Sequence, residues 1–94
     1  MMVPVRLLCD VVGRNRVRFY RDIELPSAPF PNLYIGDREA GWAMTVHMVW
    51  WSVGDARYEA YARDKKANDE ASERAAHAEL TTQGWKMFGL GIGQ

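Results

Sequence analysis

The first part of the chain alternates apolar and polar residues with a period of two, the pattern of strands that bury one face. The odd positions are apolar in residues 3–12, and the same parity returns in residues 16–25. Opposed residues of an antiparallel pair share a face, so odd positions pair with odd ones when the connection has an odd number of residues. The connection 13–15 has three, and we expect Asn15 to close it in the left-handed conformation. The predicted pairs are Val3 with Leu25, Val5 with Ile23, Leu7 with Arg21, Cys9 with Phe19, and Val11 with Val17.

Further strands are predicted in the middle of the chain. After a proline-rich connector at 26–32, residues 33–35 predict a short strand, and residues 42–53 predict a long one whose two faces are both largely apolar. We therefore expect both faces to be covered, and we expect His47, in the middle, to be buried and hydrogen-bonded. Residues 56–63 fit either a strand or a helix, and their alternation favours a strand that forms a hairpin with the preceding one.

The last third of the chain predicts one helix, over residues 69–83, with Asn68 as its N-cap. A narrow stripe of alanines lets this helix pack closely on a sheet. Gly84 ends it, which places Leu80 and Trp85 at the contacting positions of a Schellman motif.

These elements predict the fold class. A last short strand at 85–88 and a pliable tail at 89–94 follow the helix. The length of 94 residues allows a single domain, residues 1–94, because one core typically occupies about 100–150 residues. We expect an α+β fold, a small antiparallel β-sheet of about five strands that begins with a β-hairpin, with one C-terminal helix packed on one face. The pattern leaves open which face the helix covers.

Composition and charge narrow the function classes. Apolar residues make up 48% and charged residues 26%, which is typical of a folded domain. Twelve Lys and Arg balance twelve Asp and Glu, so the basic field of a strong nucleic-acid binder is missing. With one cysteine, no signal-peptide pattern and no apolar run of about 20 residues, we expect a cytoplasmic protein without a membrane partner. Nine arginines against three lysines favour a bacterial or phage origin.

Candidate catalytic and metal-binding residues are few. Cys9 falls on the core face by parity, where a thiol usually acts as a small apolar group. No spacing typical of metal ligands, of a phosphate loop or of a nucleophile elbow occurs. We therefore predict a non-enzymatic protein with no cofactor and no metal. A cleft that joined His47, Arg21 and a carboxylate such as Glu59 would revive an enzymatic hypothesis.

Residues suited to protein binding are better represented. Four tryptophans and five methionines belong to residue types enriched at interfaces. One helix covers only one face of a sheet, so the second face of strand 42–53 is expected to be buried by another chain, most simply a second copy, unless the connector and tail cover it. The sequence thus predicts a protein-interaction module: a homodimer, an adaptor or an inhibitor of a larger protein. The candidate interface residues are Trp42, Met44, Met48, Trp50 and Trp51.

The alternative function is nucleic-acid binding by the second strand, whose arginines and tyrosine could hold phosphates and stacked bases. The register disfavours it, because Asp10 lies opposite Arg18 and Arg6 lies opposite Asp22 as complementary pairs. Arg21 is the exception, since its parity points it into the core row; we expect it to reach the sheet edge or to face a ligand. The residues of this alternative face are Arg14, Arg16, Arg18, Tyr20 and Arg21.

Overall fold

The computed structural model describes residues 1–88, which form a curled seven-stranded sheet and one helix. The elements are β1 Val3–Val12, β2 Arg16–Leu25, β3 Tyr34–Asp37, β4 Trp42–Ser52, β5 Arg57–Ala62, β6 Lys65–Lys66, α1 Glu70–Thr82 and β7 Lys86–Met87. The strand order is β3-β4-β5-β1-β2-β7, and β6 pairs with β1. Within residues 1–88 no helix is long and apolar enough to cross a membrane. The tail predicted at 89–94 lies outside the described residues.

The α+β class is confirmed, but the prediction of a purely antiparallel sheet of about five strands is wrong. The sheet is mixed, because β5 runs parallel to β1, with Val5 paired to Tyr58 and Leu8 paired to Tyr61. The short strand β6 continues this parallel pairing further along β1. Alternation identifies strands but carries no information on which strands become neighbours, so the sequence pattern could not reveal the parallel pair. The open choice at residues 56–63 is resolved as a strand, β5.

The first hairpin confirms the predicted strand bounds and the predicted register along its whole length. The predicted left-handed Asn15 is wrong: in residues 1–88 the residues with positive φ outside glycine are Asn32 and Ala56. The loop is closed by the N–H of Gly13, which donates to the carbonyl of Asn15 at 3.1 Å. The odd positions of the hairpin form the core, as predicted; those buried are Val5, Leu7, Cys9, Val11 and Phe19.

Helix α1 begins one residue later than predicted, because Asp69 rather than Asn68 is its N-cap. The Asp69 carboxylate accepts a hydrogen bond from the Ser72 N–H at 2.8 Å, and the Ser72 hydroxyl accepts one from the Asp69 N–H at 3.1 Å. These reciprocal bonds satisfy backbone donors that the helix leaves free. The bond from the Ser72 backbone holds the pKa of Asp69 below its ordinary value.

The end of α1 confirms the predicted Schellman motif. Gly84 has a φ of 93°, its N–H donates to the carbonyl of Thr81, and the N–H of Trp85 donates to the carbonyl of Leu80, both at 3.0 Å. Leu80 and Trp85 are buried in the same cluster as the odd positions of the hairpin. The helix therefore covers the odd face of β1, which is called the helix face below.

A β-bulge divides β4. The register opposite β5 shifts between Val46 and Met48, so His47 is an extra residue. One inserted residue reverses the parity of everything after it. Alternate positions of β4 are buried before the bulge, whereas after it every position is partly or largely exposed. Within residues 1–88 the chain itself therefore leaves the second part of this strand uncovered, and His47, expected to be buried, is exposed.

Candidate functional site

The five predicted interface residues are divided between core and surface. Trp42 and Met44 are each only 7% exposed and belong to the core, because β4 turns these positions towards α1 before the bulge. They are not available to a partner in this structure. Met48 and Trp51, beyond the bulge, are each 51% exposed, and Trp50 is partly exposed. The surface part of the predicted interface is thus the last segment of β4.

The outer side of this segment has no strand partner among residues 1–88. Strand β3 pairs with β4 only as far as Thr45. Val46 is bonded to the connector: its N–H donates to the Leu33 carbonyl and its carbonyl accepts from the Asn32 N–H, both at 2.8 Å. From Met48 onward β4 pairs with β5 alone, on its inner side. Residues 48–52 are therefore called the open edge.

The alternation of an antiparallel pair determines which backbone groups of the open edge point outward. Val46 directs its N–H and carbonyl outward, so its pair with Ala62 of β5 is of the non-hydrogen-bonded type. Continued past the bulge, the alternation makes Trp50 bond inward to β5. Val49 and Trp51 then direct their N–H and carbonyl groups outward, where a further strand could pair with them.

The side chains of the open edge are uncharged and bulky on both sides of the sheet. On the helix face, Trp51 contacts Tyr58 edge-on, with ring centroids 5.0 Å apart. On the opposite face, the indole N–H of Trp50 donates to the Glu59 carboxylate at 2.7 Å, and Met48 lies half exposed. Natural edge strands are usually blunted by lysine, proline or inward charges, and residues 48–52 contain none of these. In its residue composition the open edge therefore resembles a strand that is covered by a neighbouring strand.

The face of the sheet opposite α1, called the polar face below, carries ion pairs and stacked rings. Arg6 and Asp22, predicted to lie opposite each other, form a two-bonded pair at 2.7 and 2.9 Å. The Arg6 guanidinium holds the pKa of Asp22 below its ordinary value, and the guanidinium carbon lies 4.1 Å from the centre of the Tyr20 ring. Residues of this face include Arg6, Leu8, Asp10, Arg16, Arg18, Tyr20, Asp22, Met48, Trp50, Glu59 and Tyr61.

Asp10 lies at the centre of a buried network on the polar face. Its side chain is 0% exposed and accepts hydrogen bonds from Arg16 at 2.8 Å, from Arg18 at 2.9 Å and from the Tyr61 hydroxyl at 3.1 Å. The predicted opposition of Asp10 and Arg18 is confirmed, but the burial and Tyr61 were missed, because Tyr61 reaches Asp10 through the parallel pairing of β5. Both carboxylate oxygens are bonded, as a buried charge requires.

The arginines of the alternative nucleic-acid face are all engaged within the chain. Arg14 pairs with Glu70 of α1 at 2.7 Å, and the two β2 arginines described above bind the buried carboxylate. Arg21 lies on the helix face and donates to the Gln83 carbonyl at 2.5 Å, where a cation also complements the helix dipole. The ring of Tyr20 is covered by a guanidinium. This face thus offers few free donors or rings to a nucleic acid.

The structure does not bring together His47, Arg21 and Glu59, the three residues of the enzymatic hypothesis. Arg21 lies on the helix face, Glu59 lies on the polar face bonded to Trp50, and His47 is exposed at the bulge. Burial raises the pKa of the Cys9 thiol, which is consistent with its core position. Across residues 1–88 no three His, Cys, Asp or Glu side chains are placed to hold a metal ion.

Comparisons with known proteins return no match: no protein-family model fits the chain, and no curated protein or solved structure matches it. The candidate site is therefore defined by the geometry of residues 1–88. Two features combine exposure with fixed geometry. They are the open edge of β4 and the polar face around the buried Asp10 network.

Proposed function

We propose that the chain is a protein-interaction module that binds by strand addition at the open edge of β4, and that its partner is a second copy of itself. The observation that carries this proposal is that outward backbone groups at Val49 and Trp51 coincide with half-exposed Met48 and Trp51 side chains. An added strand satisfies the backbone groups and covers the side chains at the same time. Left free, an apolar uncharged edge is a template for aggregation.

A second copy fits this edge in antiparallel orientation about a two-fold axis at Trp50. Val49 then lies opposite the partner's Trp51, and these residues exchange both backbone hydrogen bonds because both direct their groups outward. Trp50 lies opposite the partner's Trp50 as a non-hydrogen-bonded pair, with Cβ atoms about 4.5–5.5 Å apart. Met48 lies opposite the partner's Ser52, so no like charges oppose one another.

The size of this contact sets the expected strength. The paired segment, residues 48–52, is much shorter than the about 20–30 residues per partner of a standard interface. The cross-strand pairs contribute about 0.2–1 kcal/mol each, and association has to overcome the loss of rotational and translational freedom. We therefore expect a weak, reversible dimer that forms at roughly high micromolar to millimolar protein concentration, and not an obligate one.

The proposal is tested by the solution mass of two lysine variants. Trp51→Lys removes the apolar contact at the open edge and places a charge there, whereas Tyr34→Lys makes the same kind of change on β3, at an aromatic residue that is 71% exposed. Light scattering behind a sizing column, over a wide concentration range, should show the wild type and Tyr34→Lys approaching twice 10.7 kDa. Trp51→Lys should stay near 10.7 kDa.

Circular dichroism in the near and far ultraviolet checks that both variants keep the fold. A folded Trp51→Lys that dimerises as well as the wild type would overturn the open edge as the interface. A wild type that remains near 10.7 kDa at millimolar concentration would overturn the second copy as the partner.

A further inference from the structure

A groove of about 510 Å³ opens on the polar face beside the bulge of β4. Trp50, Met48 and Tyr61 form its apolar wall, and Arg63 and Lys66 stand on its rim. Grooves that bind small molecules typically measure about 300–1,000 Å³ and combine apolar walls with a few polar groups. Size and lining therefore suit a small ligand that has a flat apolar part and a charged part.

The aromatic wall is held in place by bonds behind it. Trp50 is fixed by the hydrogen bond from its indole to Glu59 at 2.7 Å, and Tyr61 by the bond from its hydroxyl to the buried Asp10 at 3.1 Å. The two rings lie 5.2 Å apart at 49° to each other. Bonds of this kind restrict ring rotation, so the wall is preorganised for a ligand that lies against it.

The rim carries positive charge that the described residues do not neutralise. Within residues 1–88, neither Arg63 nor Lys66 has an acidic partner within ion-pair distance. The acidic residue of the lining, Asp64, is bonded to Arg16 at 3.2 Å. The register of β6 and β2 on either side of Val12 places Lys66 and Arg16 on the same face of the sheet. The rim therefore offers two unpaired cations next to a fixed aromatic wall.

We propose that this groove binds a nucleoside 5′-phosphate, either free or as a unit of a single-stranded nucleic acid, with the base against Trp50 and the phosphate between Arg63 and Lys66. Bases of any sequence stack on aromatic side chains. The phosphate monoester of a free nucleotide or of a strand's 5′ end carries about −1.5 to −2 charges at neutral pH, which matches two free cations, whereas a phosphodiester within a strand carries a single negative charge. The groove shares Met48 and Trp50 with the open edge, so ligand binding is compared at one fixed protein concentration.

Calorimetric titration of the full-length protein with adenosine 5′-phosphate, adenosine and inorganic phosphate tests this assignment. The nucleotide should bind at least about tenfold more tightly than either half, because the groove holds both. Lys66→Gln should weaken nucleotide binding about tenfold, since it removes one of the two cations. The control is Lys86→Gln, which changes an exposed lysine beside Tyr20, away from the groove, and should bind as the wild type does.

A second variant tests the wall. Trp50→Leu should weaken binding of the nucleotide about tenfold and leave the weak binding of inorganic phosphate unchanged. A single-stranded oligoadenylate distinguishes the two sources: tighter binding per site than the mononucleotide identifies a nucleic-acid strand, and equal or weaker binding identifies the free nucleotide. The proposal is overturned if the nucleotide binds no more tightly than inorganic phosphate, or if Lys66→Gln binds it as well as the wild type.

Discussion

Replacement of Asp10 by asparagine is the sharpest test of the buried network. The change keeps the size of the side chain and removes its charge. In the structure one carboxylate oxygen accepts from Arg16 at 2.8 Å and from Tyr61 at 3.1 Å, and the other accepts from Arg18 at 2.9 Å. Asparagine retains one oxygen and presents an amide donor in place of the second, so at least one donor faces another donor.

The expected loss follows from these contacts. Hydrogen bonds to a charged group contribute about 1.5–3 kcal/mol each, and breaking a buried pair costs about 3–5 kcal/mol. The side chains of Arg16 and Arg18 are 54% and 38% exposed, so both can turn partly to water, which reduces the cost. We expect Asp10→Asn to lower the free energy of unfolding by about 2–4 kcal/mol, a large share of the roughly 5–15 kcal/mol of a small domain.

The assay is equilibrium unfolding in urea at neutral pH, followed by tryptophan fluorescence at one fixed protein concentration, because association also changes apparent stability. Asp64→Asn is the matched control: Asp64 also bonds Arg16, at 3.2 Å, but it is 32% exposed, and its loss should stay below about 1 kcal/mol. If Asp10→Asn loses less than about 1 kcal/mol, or no more than the control, the buried network does not stabilise the fold.

Two further changes test other parts of the structure. Gly84→Ala forces an L-residue to a φ of 93° beside the Arg21 guanidinium. We therefore expect the free energy of unfolding to fall by about 1–2 kcal/mol and the melting temperature to fall by about 4–16 °C. An unchanged melting temperature would contradict the left-handed helix stop. Asp22→Asn removes the carboxylate whose pKa is lowered by Arg6. A lowered pKa stabilises the fold at pH values above the ordinary pKa of about 3.9, and this stabilisation is lost as the pH falls through the lowered pKa. The loss in free energy of unfolding should therefore be largest at neutral pH, below about 1 kcal/mol, and should vanish in strong acid. A deficit that does not change with pH in urea unfolding would show that the ion pair is not its cause.

The first hairpin could be predicted because its determinants are local. Parity fixes which side chains share a face, and the length of the loop at 13–15 fixes the register, so the pairs from Val3 to Val11 follow from sequence alone. The helix stop at Gly84 follows for the same reason, since the glycine and its neighbours make the whole motif. Each of these features depends on residues close in the chain.

The parts that could not be predicted depend on contacts between distant segments. The bulge at His47 has no local signal, so parity extended through β4 wrongly placed Trp42 and Met44 on one face with Met48. The pairing of β5 with β1 decides the burial of Asp10, which the alternation of either strand cannot show. Three of the five candidate interface residues, Met48, Trp50 and Trp51, therefore lie at the surface, and the groove on the polar face was not predicted.

Amide hydrogen exchange tests residue by residue whether the open edge of β4 pairs with a second copy. The N–H groups of Val49 and Trp51 point outward in the monomer, whereas that of Trp50 is bonded to β5. As protein concentration rises through the dimer transition, exchange at Val49 and Trp51 should slow while that at Trp50 stays slow throughout. A mass that doubles while these two amides continue to exchange fast would contradict strand pairing at this edge.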